Sequence, residues 1–153
     1  MKLDSYSQGA HYFHFEDVGS GWVASKTDLT PISFEFTLTT QGILIVTDAY
    51  YAGDQFEVFN YGTSLGTTSP VLPDSTINEP DPDRASADPR WSSAFFILDP
   101  GSYSITGISL VSPFGKGGAY LQVDPPIVPI PSSLLLLGSG IFALAGWRRS
   151  RKN

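Results

Sequence analysis

Residues 32–40 read ISFEFTLTT, in which Ile32, Phe34, Phe36 and Leu38 alternate with Ser33, Glu35, Thr37 and Thr39. A period of two puts the apolar set on one face and predicts a half-buried strand. The turn-prone Thr40-Gln41-Gly42 follows, and the continuous apolar run over residues 43–47 then predicts a central strand covered on both faces. Residues 55–60 alternate again, with Phe56 and Val58 opposed to Glu57 and Phe59. Residues 93–99 are apolar and aromatic, Pro100-Gly101 makes a turn, and residues 103–111 return as a strand. In that strand Tyr103 and Ile105 share one parity, and Ile108 and Leu110 the other. A glycine at the change, Gly107, predicts a β-bulge. Gly117-Gly118 ends a loop, and residues 119–124 form the last strand before Pro125-Pro126. Phe13 and Phe15 predict an opening edge strand.

No stretch before Pro131 has a helical period. Seven or so short strands with turn punctuation predict an all-β fold, a small antiparallel β-sandwich or jelly-roll over residues 1–124. Residues 67–90 break the rhythm. They hold Pro70, Pro73, Pro80, Pro82 and Pro89 together with Asp74, Glu79, Asp81, Asp83 and Asp88. Proline donates no ladder hydrogen bond, so this segment is expected to be an irregular, exposed loop.

The last residues change character. Residues 125–131 are a proline-rich linker, and residues 132–147 carry no charge. That apolar run includes Leu134, Leu135, Leu136, Leu137, Gly138, Gly140, Ile141, Phe142, Leu144 and Trp147. Alone it spans about 24 Å as a helix. With residues 127–131 it reaches the roughly 20 residues that cross a bilayer, so it predicts a C-terminal transmembrane helix in the inner membrane. Trp147 stands where an interfacial aromatic belongs. Beyond it residues 148–153 carry Arg148, Arg149, Arg151 and Lys152, a cluster that stays cytoplasmic and places everything before the helix outside.

The order of Val128-Pro129-Ile130-Pro131, then a helix with Gly138-Ser139-Gly140 and Gly146-Trp147, then Arg148-Arg149, resembles the PEP-CTERM sorting signal. The resemblance covers about the last 26 residues. It implies an exosortase as partner, cleavage near residues 128–131, and a destination at the cell surface or in an extracellular polysaccharide matrix. The family most often carries Glu at the middle of the motif, where this chain has Ile130. The other reading of the segment is a plain single-pass anchor that is not cleaved. The runs TDAYYAGDQFEVFNYG, DPRWSSAFFILDPGSYSITG and SPFGKGGAYLQV resemble a β-sandwich type seen among exosortase substrates. That second resemblance brings no catalytic residues with it. A signal peptide belongs with such a tail, yet residues 1–15 hold no apolar h-region. The expectation is a true start upstream or a fragment.

Charge sharpens the picture. All fifteen acidic residues precede Pro125, against Lys2, Lys26, Arg84, Arg90 and Lys116. So acidic an exported domain argues against nucleic acid, whose phosphates would repel it. There are no cysteines, hence neither disulfides nor thiolate metal sites. His11 and His14 stand three apart, on opposite faces of a strand, so they make no joint metal pair. Asp48 and Asp54 flank a turn and are candidate calcium ligands, matching no EF-hand spacing, with solvated turn residues as the alternative. No other cofactor is implied. Trp22, Tyr50, Tyr51 and Trp91 are candidates for a sugar-stacking platform, although such aromatics are more often partly buried anchors. No elbow of the GxSxG kind supports a hydrolase. The reading is a non-enzymatic surface protein of structural or adhesive role, with a calcium- or glycan-binding module as the alternative.

Overall fold

The structure is a computed structural model that describes residues 1–3 and 9–125. Within them the chain forms ten strands and one short helix: β1 His11–Phe15, β2 Phe34–Leu38, β3 Gly42–Asp48, β4 Tyr50–Ala52, β5 Gln55–Asn60 and β6 Thr63–Thr67. Then follow β7 Asp74–Glu79, α1 Pro82–Ala87, β8 Ser93–Leu98, β9 Gly101–Val111 and β10 Gly117–Asp124. Two four-stranded antiparallel sheets, ordered β1-β10-β3-β8 and β2-β9-β5-β6, close on one core, and β4 pairs with β7 as a separate ribbon. This is the expected all-β, antiparallel, sandwich-like arrangement.

Alternation builds the core. Phe34, Phe36 and Leu38 of β2 are buried while Glu35 and Thr37 are exposed, as the ISFEFTLTT pattern requires. Phe13 and Phe15 of β1, an edge strand as expected, meet Phe56 of β5 edge-on at centroid distances of 5.6 and 5.0 Å, which ties the two sheets together. Trp22 stacks on Phe13 at 4.0 Å and touches Phe34 and Phe56 edge-on. Offset and edge-on aromatic pairs of this kind add about 1 kcal/mol each beyond their buried area.

Four expectations are corrected. β3 is covered on both faces only in part: Leu44 and Val46 are fully buried, whereas Ile43 and Ile45 are half-buried on the outer face. There they lie across from Ile97 and Phe95 of the edge strand β8. Those two side chains are 72% and 57% exposed, so this half of the apolar run of β8 is an outward stripe, while Phe96 and Leu98 face the core. Gly107 is not a bulge. β9 keeps one phase through it, with Ile105, Gly107 and Ser109 inward, and the register shift lies at Gln55–Phe56 opposite Val111–Ser109. Gly107 is small because the indole of Trp22 occupies the space: a Cβ there would stand 2.2 Å from Trp22 Cζ2. Gly117-Gly118 opens β10 and does not end a loop.

Residues 67–90 are the fourth correction, since they contain β7 and α1. The prolines punctuate this segment without entering its ladder. Pro70 and Pro73 precede β7, Pro80 follows it, Pro82 opens α1 and Pro89 follows α1. A proline at the first helical turn has no N–H to leave orphaned. The Asp81 carboxylate caps α1 by accepting from the Asp83 and Arg84 amides. Ala85 of α1, Ala52, Trp91 and Ile77 form a second, smaller apolar cluster. Among the described residues no helix is long and apolar enough to cross a membrane. The expected motif at residues 128–131, the helix at 132–147 and the basic tail lie outside the described residues.

Candidate functional site

The sequence from Asp48 to Asp54 folds around its first residue. The Asp48 carboxylate is fully buried and accepts from three backbone amides, Ala49 at 2.7 Å and Gly53 and Asp54 at 3.1 Å each. These bonds curl the chain back on itself and push Tyr50 and Tyr51 outward. Tyr50 takes φ of 65°, a left-handed conformation that costs a bulky residue on the order of 1–3 kcal/mol. Its carbonyl is fixed by the Trp91 Nε1–H, which donates to it over 3.1 Å. Gly53 is needed at φ 143°, where a Cβ would also meet Pro113 at 2.8 Å.

The curled segment forms one wall of a cleft of about 310 Å³. β1 contributes Tyr12 and His14, β7 contributes Asn78, and the β9–β10 connection with the start of β10 contributes Phe114, Lys116, Gly117 and Gly118. Tyr12 meets Tyr120 edge-on at 5.6 Å and Tyr50 at 6.5 Å, and Tyr51 meets Phe114 at 6.0 Å. The two glycines make room for this. A Cβ on Gly118 would stand 2.1 Å from the Tyr12 hydroxyl oxygen, and one on Gly117 would stand 2.7 Å from the Phe15 ring. Burial, then the hydrogen bond with Tyr50, pushes the Tyr120 hydroxyl up to about 12, so it stays protonated at physiological pH.

The floor is polar and incompletely satisfied. Asp54 and His14 are 5% and 4% exposed, yet Asp54 Oδ1 and His14 Nδ1 have no hydrogen-bond partner. Buried polar atoms are almost always paired, and an unpaired one costs roughly 1–3 kcal/mol. Burial first, and then the neighbouring Asp54, pushes the Asp48 carboxyl up to about 8. Burial pushes Asp54 up to about 6, and hydrogen bonds from Ser112 and Asp48 pull it partly back. The two therefore titrate as a pair that keeps a proton where separate aspartates would have lost it.

The sequence-predicted residues divide on this geometry. Asp48 and Asp54 do come together, but Asp48 organises the curl and only Asp54 reaches the cleft. Calcium takes six to eight oxygens. Asp48 has committed its oxygens to amides, and among the described residues no group of three acidic, His or Cys side chains is placed to hold a metal. That donor set does not fit the ion. Tyr50 and Tyr51 reach the surface as a sugar platform would need. Trp22 and Trp91 are each 2% exposed and belong to the two cores instead. His11 and His14 lie on opposite faces, as their spacing requires. Tyr12, His14, Asn78, Phe114 and Lys116 are not legible as site residues from the sequence, because strand pairing alone brings them together.

No family model matches the chain, and neither does any curated protein. Two solved structures are similar in outline. One is the pre-peptidase C-terminal domain of a collagenase from Bacillus anthracis, at 11% identity and TM-score 0.40, covering 80% of this chain and 92% of that one. The other is the C-terminal CBM6 of LamC, a marine laminarinase from Zobellia galactanivorans, at 13% identity and TM-score 0.39, covering 78% and 84%. At these scores the likeness carries no argument about function.

Proposed function

We propose that this chain is an exported bacterial protein of the cell surface or its exopolysaccharide, whose β-domain adheres by holding a saccharide in the tyrosine cleft. One observation carries the binding part: a cleft walled by Tyr12, Tyr50, Tyr51 and Phe114 and lined as well by the polar residues His14, Asp54, Asn78 and Lys116. Sugars combine apolar C–H faces with hydroxyls, so a site for them needs ring planes beside hydrogen-bonding groups. Glycoside cleavage by the usual route needs two carboxyl groups flanking the bond. Among the described residues Asp54 is the one carboxyl lining this cleft, which favours binding over catalysis. Tyr51→Ala and Phe114→Ala remove exposed rings from the wall and should leave folding intact. Each is expected to weaken retention on immobilised polysaccharide about tenfold, which corresponds to about 1.4 kcal/mol. Retention equal to wild type in both variants would refute the cleft as the binding site, and unchanged retention in EDTA is expected.

The exported location and the exosortase partner rest on the order of motif, apolar run and basic tail. In this reading the apolar segment and the arginines hold the substrate in the inner membrane. The enzyme then grips an extended Pro-x-Pro backbone, whose fixed φ angles reduce the entropy lost on binding. Pro129→Ala with Pro131→Ala should leave insertion intact and trap full-length protein in the membrane. Immunoblots of membrane and released fractions, in hosts with and without an exosortase, check this. Wild-type protein that stays full-length in both hosts would mean a plain anchor.

A further inference from the structure

The edges of the two large sheets are β1, β8, β2 and β6, and among the described residues β8 is the least protected. β1 is flanked by Val23, which exchanges both backbone bonds with His14. β2 is flanked by residues 1–3, where Leu3 donates to Glu35 and Glu35 to Met1. β6 turns the hydroxyl side chains of Thr63, Ser64 and Thr67 to solvent. β8 reads SAFFIL, with no charge and no proline, and sets Phe95 and Ile97 outward beside Ile45 and Ile43 of β3. Proteins blunt an open edge with charge, proline or a covering segment, and an apolar edge without these accepts another strand.

The hydrogen-bond phase of this edge is fixed. Asp48 donates to Ser92 on the side of β3, whereas Ser93 turns the other way. Its C=O accepts from the Ser69 N–H over 2.9 Å, and its N–H donates to Ser69 Oγ over 3.1 Å. Direction alternates along an antiparallel strand, so Phe95 and Ile97 also point N–H and C=O away from β3. These groups have no partner among the described residues.

We propose that β8 pairs with β8 of a second copy of this chain, antiparallel about a two-fold axis at Phe96. That register sets Phe95 opposite Ile97 in both halves, and two bonds per pair use every outward group the strand has left. An axis at Phe95 would set Ile97 against Ser93, which Ser69 already holds. An axis at Ile97 would set the Phe95 ring against the Asp99 carboxylate. The identical strand thus carries the two free positions at the matching spacing. Pro126, Pro129 and Pro131 leave the chain's own continuation short of donors for the same edge. The Phe–Ile pairs are of the aromatic and β-branched kind that stabilises facing strands, and they join Ile43 and Ile45 of both copies into one apolar band. Asp99 of one copy lies roughly 20 Å along the strand from Asp99 of the other, beyond the about 8 Å over which charges act in physiological salt. The contact is two-fold and consumes both edges, so it closes at a dimer.

The chain has no cysteine, so a single introduced thiol reports its own surroundings. Full-length chains carrying Phe95→Cys, Ile97→Cys or Thr37→Cys, the last on the exposed face of β2, are mixed in detergent with a mild oxidant. The disulfide between positions 95 and 97 is expected to form about tenfold faster than 95–95 or 97–97, because only that pair falls within the roughly 4.4–6.8 Å between Cα atoms that a disulfide spans. A roughly tenfold excess of wild-type or Thr37→Lys chain should suppress it by mass action, and the same excess of chain carrying both Phe95→Lys and Ile97→Lys should not. If the double variant does not fold, the preference among the disulfides decides alone. Disulfides that form as fast at position 37 would trace to the apolar tail and overturn the pairing. No disulfide at β8, or a preference for 95–95, would overturn it too.

Discussion

Alanine at position 107 is expected to remove about 3–5 kcal/mol of stability, a large share of the 5–15 kcal/mol of an ordinary domain. The reason is one methyl group in one place. Its carbon would stand 2.2, 2.3 and 2.8 Å from three atoms of the Trp22 indole. The indole cannot move aside, because Phe13 stacks on it and Phe34 and Phe56 meet it edge-on. Either the tryptophan leaves the core or β9 leaves its pairing, and each costs more than the 1–3 kcal/mol typical of modest overpacking. Urea unfolding followed by tryptophan fluorescence measures it. The double variant Gly107→Ala with Trp22→Phe should recover part of the loss, since the smaller ring frees the space, and the cycle should be strongly non-additive. A Gly107→Ala protein within about 1 kcal/mol of wild type would refute this packing.

Stability is expected to fall as pH rises from 5 to 9, the reverse of the usual behaviour of carboxylates. Asp48 and Asp54 have folded-state values of about 8 and about 6, above those of the unfolded chain. The folded state therefore binds more protons than the unfolded one across this range, and stability declines with pH. The contribution is fully present below the ordinary aspartate value and is lost as pH rises through 6 and then 8. Asp28, Asp74 and Asp88 are shifted the other way, each by a hydrogen bond from a side chain. Their stabilisation is lost only on acidification below the ordinary aspartate range, so maximum stability should lie near pH 5. A tenfold difference in proton affinity between the folded and unfolded chain is worth about 1.4 kcal/mol, and raising the pH from 5 to 9 crosses about three such steps for Asp48 and one for Asp54, which makes the loss on the order of 5 kcal/mol. Asp54→Asn removes the neighbouring charge and should flatten the slope by about half. Denaturant midpoints across the range check it, and a flat or rising profile in the wild type would sink the idea.

The strands are legible in the sequence where burial is one-sided. ISFEFTLTT states its own register, because a one-residue slip would expose Phe34, Phe36 and Leu38 together. Gly107 misleads because the cause lies at Trp22, far away in sequence, and a strand glycine looks the same whether it kinks the chain or yields space to a ring. Residues 67–90 mislead because their composition averages over boundaries. Position by position, the prolines stand outside the ladder of β7, and the Asp81-Pro82 pair is a helix start. The site is half legible. Tyr50, Tyr51, Asp48 and Asp54 share one short run, so local chemistry points at them. His14, Asn78 and Lys116 arrive from three other elements, and only the pairing of β1 with β10 and β4 with β7 brings them near. The adjacent Gly117-Gly118, just after Phe114 and Lys116, is the available sign that rings approach a backbone there.

The cleft and Pro125 sit at opposite ends of one strand. β10 starts at Gly117 in the cleft and runs to Asp124, one residue before Pro125, a distance of roughly 26 Å. It is laced on both sides, to β1 and to β3, by antiparallel ladders whose hydrogen bonds lie across the strand. A pull on the chain beyond residue 125, resisted by a ligand in the cleft, therefore loads β10 along its length. The bonds on both flanks share that load and must break together, not one after another as in a peeled hairpin. Such a pull would load the ladders in shear.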